Sequence, residues 1–259
     1  MTPIALQTRD LSFSYNSLPV LHDLNLTFEK GRLTAVLGPN GSGKTTLLRL
    51  LNGLLVPDAG SVLLGTGENL AELSRKARAK QIAFLPQDRP IPDIPAEMLV
   101  SHGRFPHLGL SRKLTASDRR IVETAMARTG ALNCADRPLP SLSGGERQRV
   151  YLAMLLAQDT DILLLDEPTT YLDARHKFET IELLRQLADS GKTVITVLHD
   201  LPLALSAADH VILLENGTCA AAGTPQALYA DGVLNRVFGI RIDQAELNGR
   251  TVFIEQPHR

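Results

Sequence analysis

Eight consecutive residues, Gly38-Pro39-Asn40-Gly41-Ser42-Gly43-Lys44-Thr45, limit what this chain can fold into more than any other stretch. They fit the spacing G-x-x-x-x-G-K-[ST]. The apolar run Thr34 to Leu37 precedes them, and a helical pattern from Thr45 to Leu51 follows, ended by Asn52-Gly53. Strand, glycine loop and helix in that order gather consecutive backbone N–H groups and the positive end of a helix around one point. Lys44 adds a compact positive charge there, and the hydroxyl of Thr45 is a hard oxygen donor suited to magnesium. Gly38 to Thr46 is therefore the candidate cradle for a triphosphate.

On either side of this loop the pattern changes between strand and helix. Leu24, Leu26 and Phe28 alternate with Asn25, Thr27 and Glu29, which predicts a half-buried strand before the turn at Lys30-Gly31 and antiparallel sheet at the start of the chain. Pro90, Pro92 and Pro95 mark a linker, and Ile121, Val122, Ala125 and Met126 then recur at helical spacing up to Gly130. The middle of the chain thus reads as a helical insertion. Beyond it come the run Ile162 to Leu165, a helix through Phe178, Ile181, Leu184 and Ala188 closed by Gly191, and the run Val194 to Leu198. Strand, helix and strand in succession predict a parallel sheet. Val211 to Leu214 before Asn216-Gly217 predict one more strand with a hairpin-like return.

The run Ile162 to Leu165 ends in two adjacent carboxylates, Asp166 and Glu167, and a parallel sheet puts both at its carboxyl edge, where ligands bind. Asp166 suits a magnesium shell, and Glu167 suits polarisation of a water for in-line attack on a γ-phosphate. Leu142-Ser143-Gly144-Gly145-Glu146 opens a helical pattern through Val150, Met154 and Ala157. Ser143 with Glu146 three residues later is a capping box, which accounts for those two residues. It does not account for glycines at 144 and 145, which cost about 1 kcal/mol each in a helix relative to alanine. An anion site at that helix N-terminus fits them better.

Composition excludes several classes. Lys and Arg number 27 against 28 Asp and Glu, so nothing marks a nucleic-acid-binding tail. No apolar run approaches the roughly 18 residues that a membrane-crossing helix needs, and Met1 to Asp10 lacks the apolar stretch of a secretion signal. Cys134 and Cys219 are far apart and unpatterned, which fits a reducing compartment without disulfides or a cysteine metal site. Arg75, Lys76, Arg78 and Lys80 read as a solvated basic face.

Together, the glycine loop, Leu142 to Glu146 followed by Arg147-Gln148-Arg149, and the run Leu163 to Pro168 resemble the ATPase subunit of an ABC transporter. The resemblance extends from Phe13-Ser14-Tyr15 to about Gly239. Within the family, Asp166 to Asp173, Val197 to Leu201 and Gly103 to His107 resemble importers of ferric siderophores, heme and vitamin B12. The implied fold is α/β: a single P-loop NTPase domain over 1–259 with a RecA-like parallel sheet core. An N-terminal antiparallel β subdomain, an inserted α-helical subdomain at about 88–158 and a C-terminal tail at about 240–259 complete it.

The resemblance also implies site residues. Tyr15, 23 positions before Gly38, matches the aromatic ring that stacks on adenine. Gln87 matches the glutamine that touches magnesium and senses the nucleotide, and His199 the histidine that bonds the γ-phosphate and orients water. Ser143, Gly144 and Gly145 reach the γ-phosphate of the other subunit of a homodimer, and Asp173 links the two sites. Lys44, Gln87, Glu167 and His199 are the implied catalytic set, with Thr45, Gln87 and Asp166 for Mg2+ and the glycine loop for ATP. Asp88 to Pro95 lines the groove for a helix of a membrane subunit.

Implied partners are a second copy, two membrane-spanning permease subunits and, indirectly, an extracytoplasmic substrate-binding protein, at the cytoplasmic face of the inner membrane and without nucleic acid. The competing reading is a soluble ABC ATPase acting on ribosomes or DNA. Against it, only 99 positions separate Lys44 from Ser143, too few for a long coiled-coil insertion, and one cassette is present. Two features depart from the family pattern. Glu146 stands where the signature commonly ends in glutamine, adding negative charge near the nucleotide, and Ala174-Arg175-His176-Lys177 is more basic than in siderophore importers.

Overall fold

The first strand shows how the sheets are built. β1 (Ile4–Tyr15) buries Leu6 and Thr8 and then Leu11 and Phe13, so its inward face changes phase between the two pairs. The change coincides with a bulge at Asp10, where φ is 47° and the register slips. β2 (Leu18–Leu24) and β3 (Thr27–Glu29) pair antiparallel with β1. After β4 (Leu33–Leu37) and α1 (Lys44–Leu51), β5 (Ala59–Leu64) returns as its third antiparallel partner. The expected alternating strand is thus divided between β2 and β3, although Leu24, Leu26 and Phe28 are all buried. Side chains of β1 and its bulge take the hydrogen bonds at the break. Thr8 Oγ1 donates to the Leu24 carbonyl at 2.7 Å and accepts from the Leu26 N–H at 2.9 Å, and the Asn25 carboxamide bonds Asp10.

The computed structural model describes residues 3–109, 113–247 and 249–257, and the chain divides into two units, 1–72 with 184–259 and 73–183. The second unit contains α2 (Arg75–Arg78), β6 (Ile82–Leu85), α3 (Ala96–His102), α4 (Ala116–Arg128), α5 (Gly144–Ala157), β7 (Ile162–Asp166) and the first turns of α6 (Ala174–Asp189). β6 and β7 pair in parallel, from Ile82 against Ile162 to Leu85 against Leu165. α5 packs on α3, α4 and β6 and buries Val150, Tyr151, Leu152, Ala153 and Leu155, most of its circumference. Arg104, 5 % exposed, ties three pieces together: it meets Asp118 of α4 at 2.9 Å and donates to the Ala157 carbonyl at the end of α5. Residues 88–95 contain no helix or strand, as their prolines predict.

The first unit resumes with β8 (Thr193–Val197), α7 (Leu201–Ala207), β9 (His210–Glu215) and β10 (Thr218–Gly223). β4 lies between β8 and β9, parallel to both, and all five of its residues are buried. β10 folds back antiparallel on β9 through Asn216-Gly217, the expected hairpin. α8 (Pro225–Ala230) and α9 (Val233–Phe238) follow. The segment read as a tail carries β11 (Arg241–Leu247) and β12 (Arg250–Gln256), paired antiparallel. Asn248-Gly249 is the hairpin signal in the sequence that marks it. β12 packs on α7, and buried Phe253 stands edge-on to Tyr229 at 5.9 Å between ring centroids.

Candidate active site

In the first unit, β4 delivers Gly38 and α1 opens at Lys44, so the eight-residue motif is the connection between them. The loop runs so close to β9 that a Cβ on Gly38 would stand 2.1 Å from the Leu214 carbonyl oxygen and 2.7 Å from Ser42 Oγ, at a φ of 148°. Ser42 is 3 % exposed, and its hydroxyl finds no hydrogen-bond partner among the described residues. Such an orphaned group costs about 1–3 kcal/mol, which a phosphate oxygen accepting from it would offset. No side-chain hydrogen bond caps α1, so its first N–H groups face the loop. Buried Lys44 curls its Nζ onto the Gly38 and Pro39 carbonyls, 2.8 Å each. Thr46 is buried in the first turn, while Asn40 and Gly41 are exposed. Tyr15, 38 % exposed at the end of β1, is braced edge-on by Phe13 at 4.8 Å. His199 is an exposed residue just after β8, and Asp200 beside it caps α7 through the Leu203 N–H.

In the second unit, the parallel register of β6 and β7 decides which residues meet. Leu85 pairs with Leu165, so the residues two positions beyond each, Gln87 and Glu167, emerge side by side. Gln87 Nε2 donates to Glu167 Oε2 at 2.6 Å, and Thr170 Oγ1 donates to the same oxygen at 3.0 Å. Glu167 holds a left-handed backbone, φ 51°, a conformation that costs about 1–2 kcal/mol outside glycine and persists where its surroundings enforce it. Asp166, at the end of β7, is 1 % exposed.

Ser143 caps α5 as the sequence predicts. Its hydroxyl accepts from the Glu146 N–H at 3.3 Å, and the Glu146 carboxylate accepts from the Ser143 N–H at 2.7 Å. The other oxygen of Glu146 meets the Arg137 guanidinium at 2.7 Å. The Ser143 N–H and hydroxyl, then Arg137, hold the carboxyl at about 2. The expected extra negative charge is therefore paired within the chain. Gly145 has a neighbour that the sequence does not reveal: a Cβ there would stand 2.6 Å from the His176 ring. His176 in turn bonds Asp173 Oδ1 through its backbone N–H at 2.9 Å and through Nδ1 at 2.7 Å, and these bonds, the backbone one foremost, lower the Asp173 carboxyl from its ordinary value. The contacts that sequence reasoning did not give are His176 on Gly145 and Arg137 on Glu146. For His176 the readable signal is its place three residues after Asp173 at the start of a helix.

Among the described residues no group of three or more His, Cys, Asp and Glu forms an ion cage. Thr45 in the first unit, and Gln87 and Asp166 in the second, each carry a hard oxygen of the kind that suits magnesium.

Comparison with known proteins gives the context. The ABC transporter family model matches residues 21–170. The chain belongs to the ABC transporter family. An iron(3+)-hydroxamate import ATP-binding protein from Bacillus subtilis (strain 168) is 41 % identical over 91 % of this ABC chain and 88 % of its own length. A hemin import ATP-binding protein from Pseudomonas putida is 42 % identical over 92 % and 93 %. Among solved structures, a metal-chelate type ABC transporter in an inward-facing conformation aligns with a TM-score of 0.83 and 28 % identity over 98 % of each chain. A dimeric post-hydrolysis ATP-binding cassette bound to ADP and Pi aligns at 0.74 and 25 % identity, over 85 % of this chain and 98 % of the other. The ABC fold of the chain is thus a P-loop NTPase with parallel strands, an antiparallel β part and helices. Among the described residues, no helix is long and apolar enough to cross a membrane.

Proposed function

We propose that this ABC ATPase hydrolyses Mg-ATP as one of two identical subunits that drive an importer of iron chelates, heme or corrinoids. The observation that carries the hydrolytic reading is the double hydrogen bond from Gln87 and Thr170 to one oxygen of Glu167. It leaves the carboxylate oriented as a general base whose position depends on the glutamine that senses the nucleotide. Lys44 and the loop N–H groups take the phosphates, Tyr15 the adenine face, and His199 the γ-phosphate. Thr45, Gln87 and Asp166 hold the ion. Ser143, Gly144 and Gly145 serve the nucleotide of the second copy, with Asp173 linking the two sites. ATP then bridges the dimer and hydrolysis opens it, a two-state motion that membrane-spanning permeases convert into alternating access.

The cargo class rests on relatives at 41–42 % identity whose names specify iron(3+)-hydroxamate and hemin import. In this reading the chain lies at the cytoplasmic face of the membrane, and a substrate-binding protein outside it delivers the cargo. The test is purification of the tagged chain from detergent-solubilised membranes, with ATP hydrolysis measured with and without what accompanies it. A multi-span permease that stimulates turnover is the expected result. Recovery with ribosomes or DNA alone would overturn the importer reading.

A further inference from the structure

Behind Gln87 lies a second connection between the same two segments. Arg89 Nη1 donates to Gln148 Oε1 at 2.8 Å, and Gln148 Nε2 donates to the Pro168 carbonyl at 2.6 Å. Gln148 is on α5 and 5 % exposed, so neither end of its carboxamide has water as an easy alternative. The Arg89 guanidinium also lies over the Tyr151 ring, 4.7 Å from its centroid, and the Tyr151 hydroxyl donates to the Pro90 carbonyl. Burial pulls the Arg89 pKa down from its ordinary value, against the stabilising charges of Tyr151 and Asp88. The guanidinium meets an amide oxygen of Gln148, the Gln87 carbonyl and the Tyr151 ring.

These bonds make a closed circuit. Residues 87–90 are joined to 167–168 directly, by Gln87 to Glu167, and indirectly, by Arg89 through Gln148 to Pro168. Glu167 stands at the junction with a left-handed backbone that its neighbours must enforce. The Pro168 carbonyl belongs to the residue after it, so the Gln148 bond fixes the chain on the far side of Glu167 from β7. We propose that Arg89 and Gln148 are positioning residues for ATP hydrolysis: the Arg89–Gln148–Pro168 relay holds Glu167 in register with Gln87. The proposal rests on the ATPase reading above and adds to it two residues that set the position of Glu167.

The experiment measures kcat and KM for Mg-ATP with the full chain and its accompanying permease, together with the thermal midpoint and binding of a fluorescent ATP analogue. Arg89→Met keeps bulk over Tyr151 and removes the donors. Gln148→Glu keeps an acceptor facing Arg89 and removes the donor to Pro168. Each is expected to lower kcat about tenfold or more, the scale of sub-ångström misplacement, with the ATP KM within about twofold. The double variant is expected to lose no more than the worse single one, and Arg89→Lys, which retains one donor, to recover much of the rate.

A midpoint held in Gln148→Glu while kcat falls separates positioning from mere stabilisation. Should Arg89→Met fail to fold, Gln148→Glu and Arg89→Lys carry the same comparison. Wild-type rates in folded Gln148→Glu, losses that multiply in the double variant, or a rise in KM alone would overturn the proposal. Absence of hydrolysis by the wild-type complex would instead overturn the ATPase reading.

Discussion

Replacing Glu167 by glutamine separates what this carboxylate does for the fold from what it does for the reaction. In the structure a single oxygen, Oε2, accepts from both Gln87 Nε2 at 2.6 Å and Thr170 Oγ1 at 3.0 Å. The carbonyl oxygen of a glutamine takes that position and accepts both bonds, leaving its amide in place of Oε1. Bonds to a neutral acceptor are about 1 kcal/mol weaker each than bonds to a charged one, but the charge no longer needs desolvating. The net change in stability is therefore small, about 1 kcal/mol or less, or a shift of about 2–4 °C in midpoint for a chain of this size. The general base, by contrast, is gone. Its typical contribution of about 10²- to 10⁴-fold corresponds to about 2.7–5.4 kcal/mol of barrier. Glu167→Gln is expected to lower kcat by that factor, to leave ATP binding intact and to accumulate as an ATP-bound dimer in size-exclusion chromatography. Turnover within threefold of wild type would refute the role and move the base elsewhere, with His199 the next residue to test.

Further outcomes follow from the same geometry. Gly38→Ala drives a Cβ to 2.1 Å from the Leu214 carbonyl, a backbone atom that no rotamer change can remove, so β4 and β9 must part. It should cost about 3 kcal/mol or more and abolish binding of a fluorescent ATP analogue, with a wild-type midpoint as the contrary result. Gly145→Ala displaces the His176 ring and with it the hold on Asp173, so kcat should fall; His176→Ala makes room for the new methyl, so adding Gly145→Ala to it should cost little more. Thr115 foremost, then Arg104, holds the Asp118 carboxyl at about 2, below its ordinary value of 3.8. A carboxyl with a depressed folded pKa contributes stability that is complete above its unfolded value and lost as pH falls. Acid titration of the thermal midpoint should therefore show a loss between about pH 4 and 2 that Asp118→Asn lacks. That variant should also be less stable at pH 7, by about 3 kcal/mol, because buried Arg104 loses its counter-charge.

Much of this chain is decided by neighbours along the sequence. The loop from Gly38 to Thr45 is legible because a strand end, glycine conformations and the first N–H groups of a helix are properties of adjacent residues. The capping box of Ser143 and Glu146, the prolines of 88–95 and the hairpin at Asn216-Gly217 are readable for the same reason. Even the hairpin of β11 and β12 was advertised by Asn248-Gly249, between segments too polar to attract attention. What a sequence of 259 residues cannot state is which distant residues share a place. Gln87 meets Glu167 across 80 positions because β6 and β7 pair in one register, and a slip of one residue would part them. Gly145 is held to a glycine because His176 lies on it, and the charge of Glu146 is paired because Arg137 meets it. Arg89 reads as an ordinary surface cation in a proline-rich linker, and only packing against Tyr151 and Gln148 makes it part of the machinery. The division is physical: backbone conformation and capping arise from local sterics and hydrogen bonds, whereas burial and long-range partners exist only once strands and helices have packed.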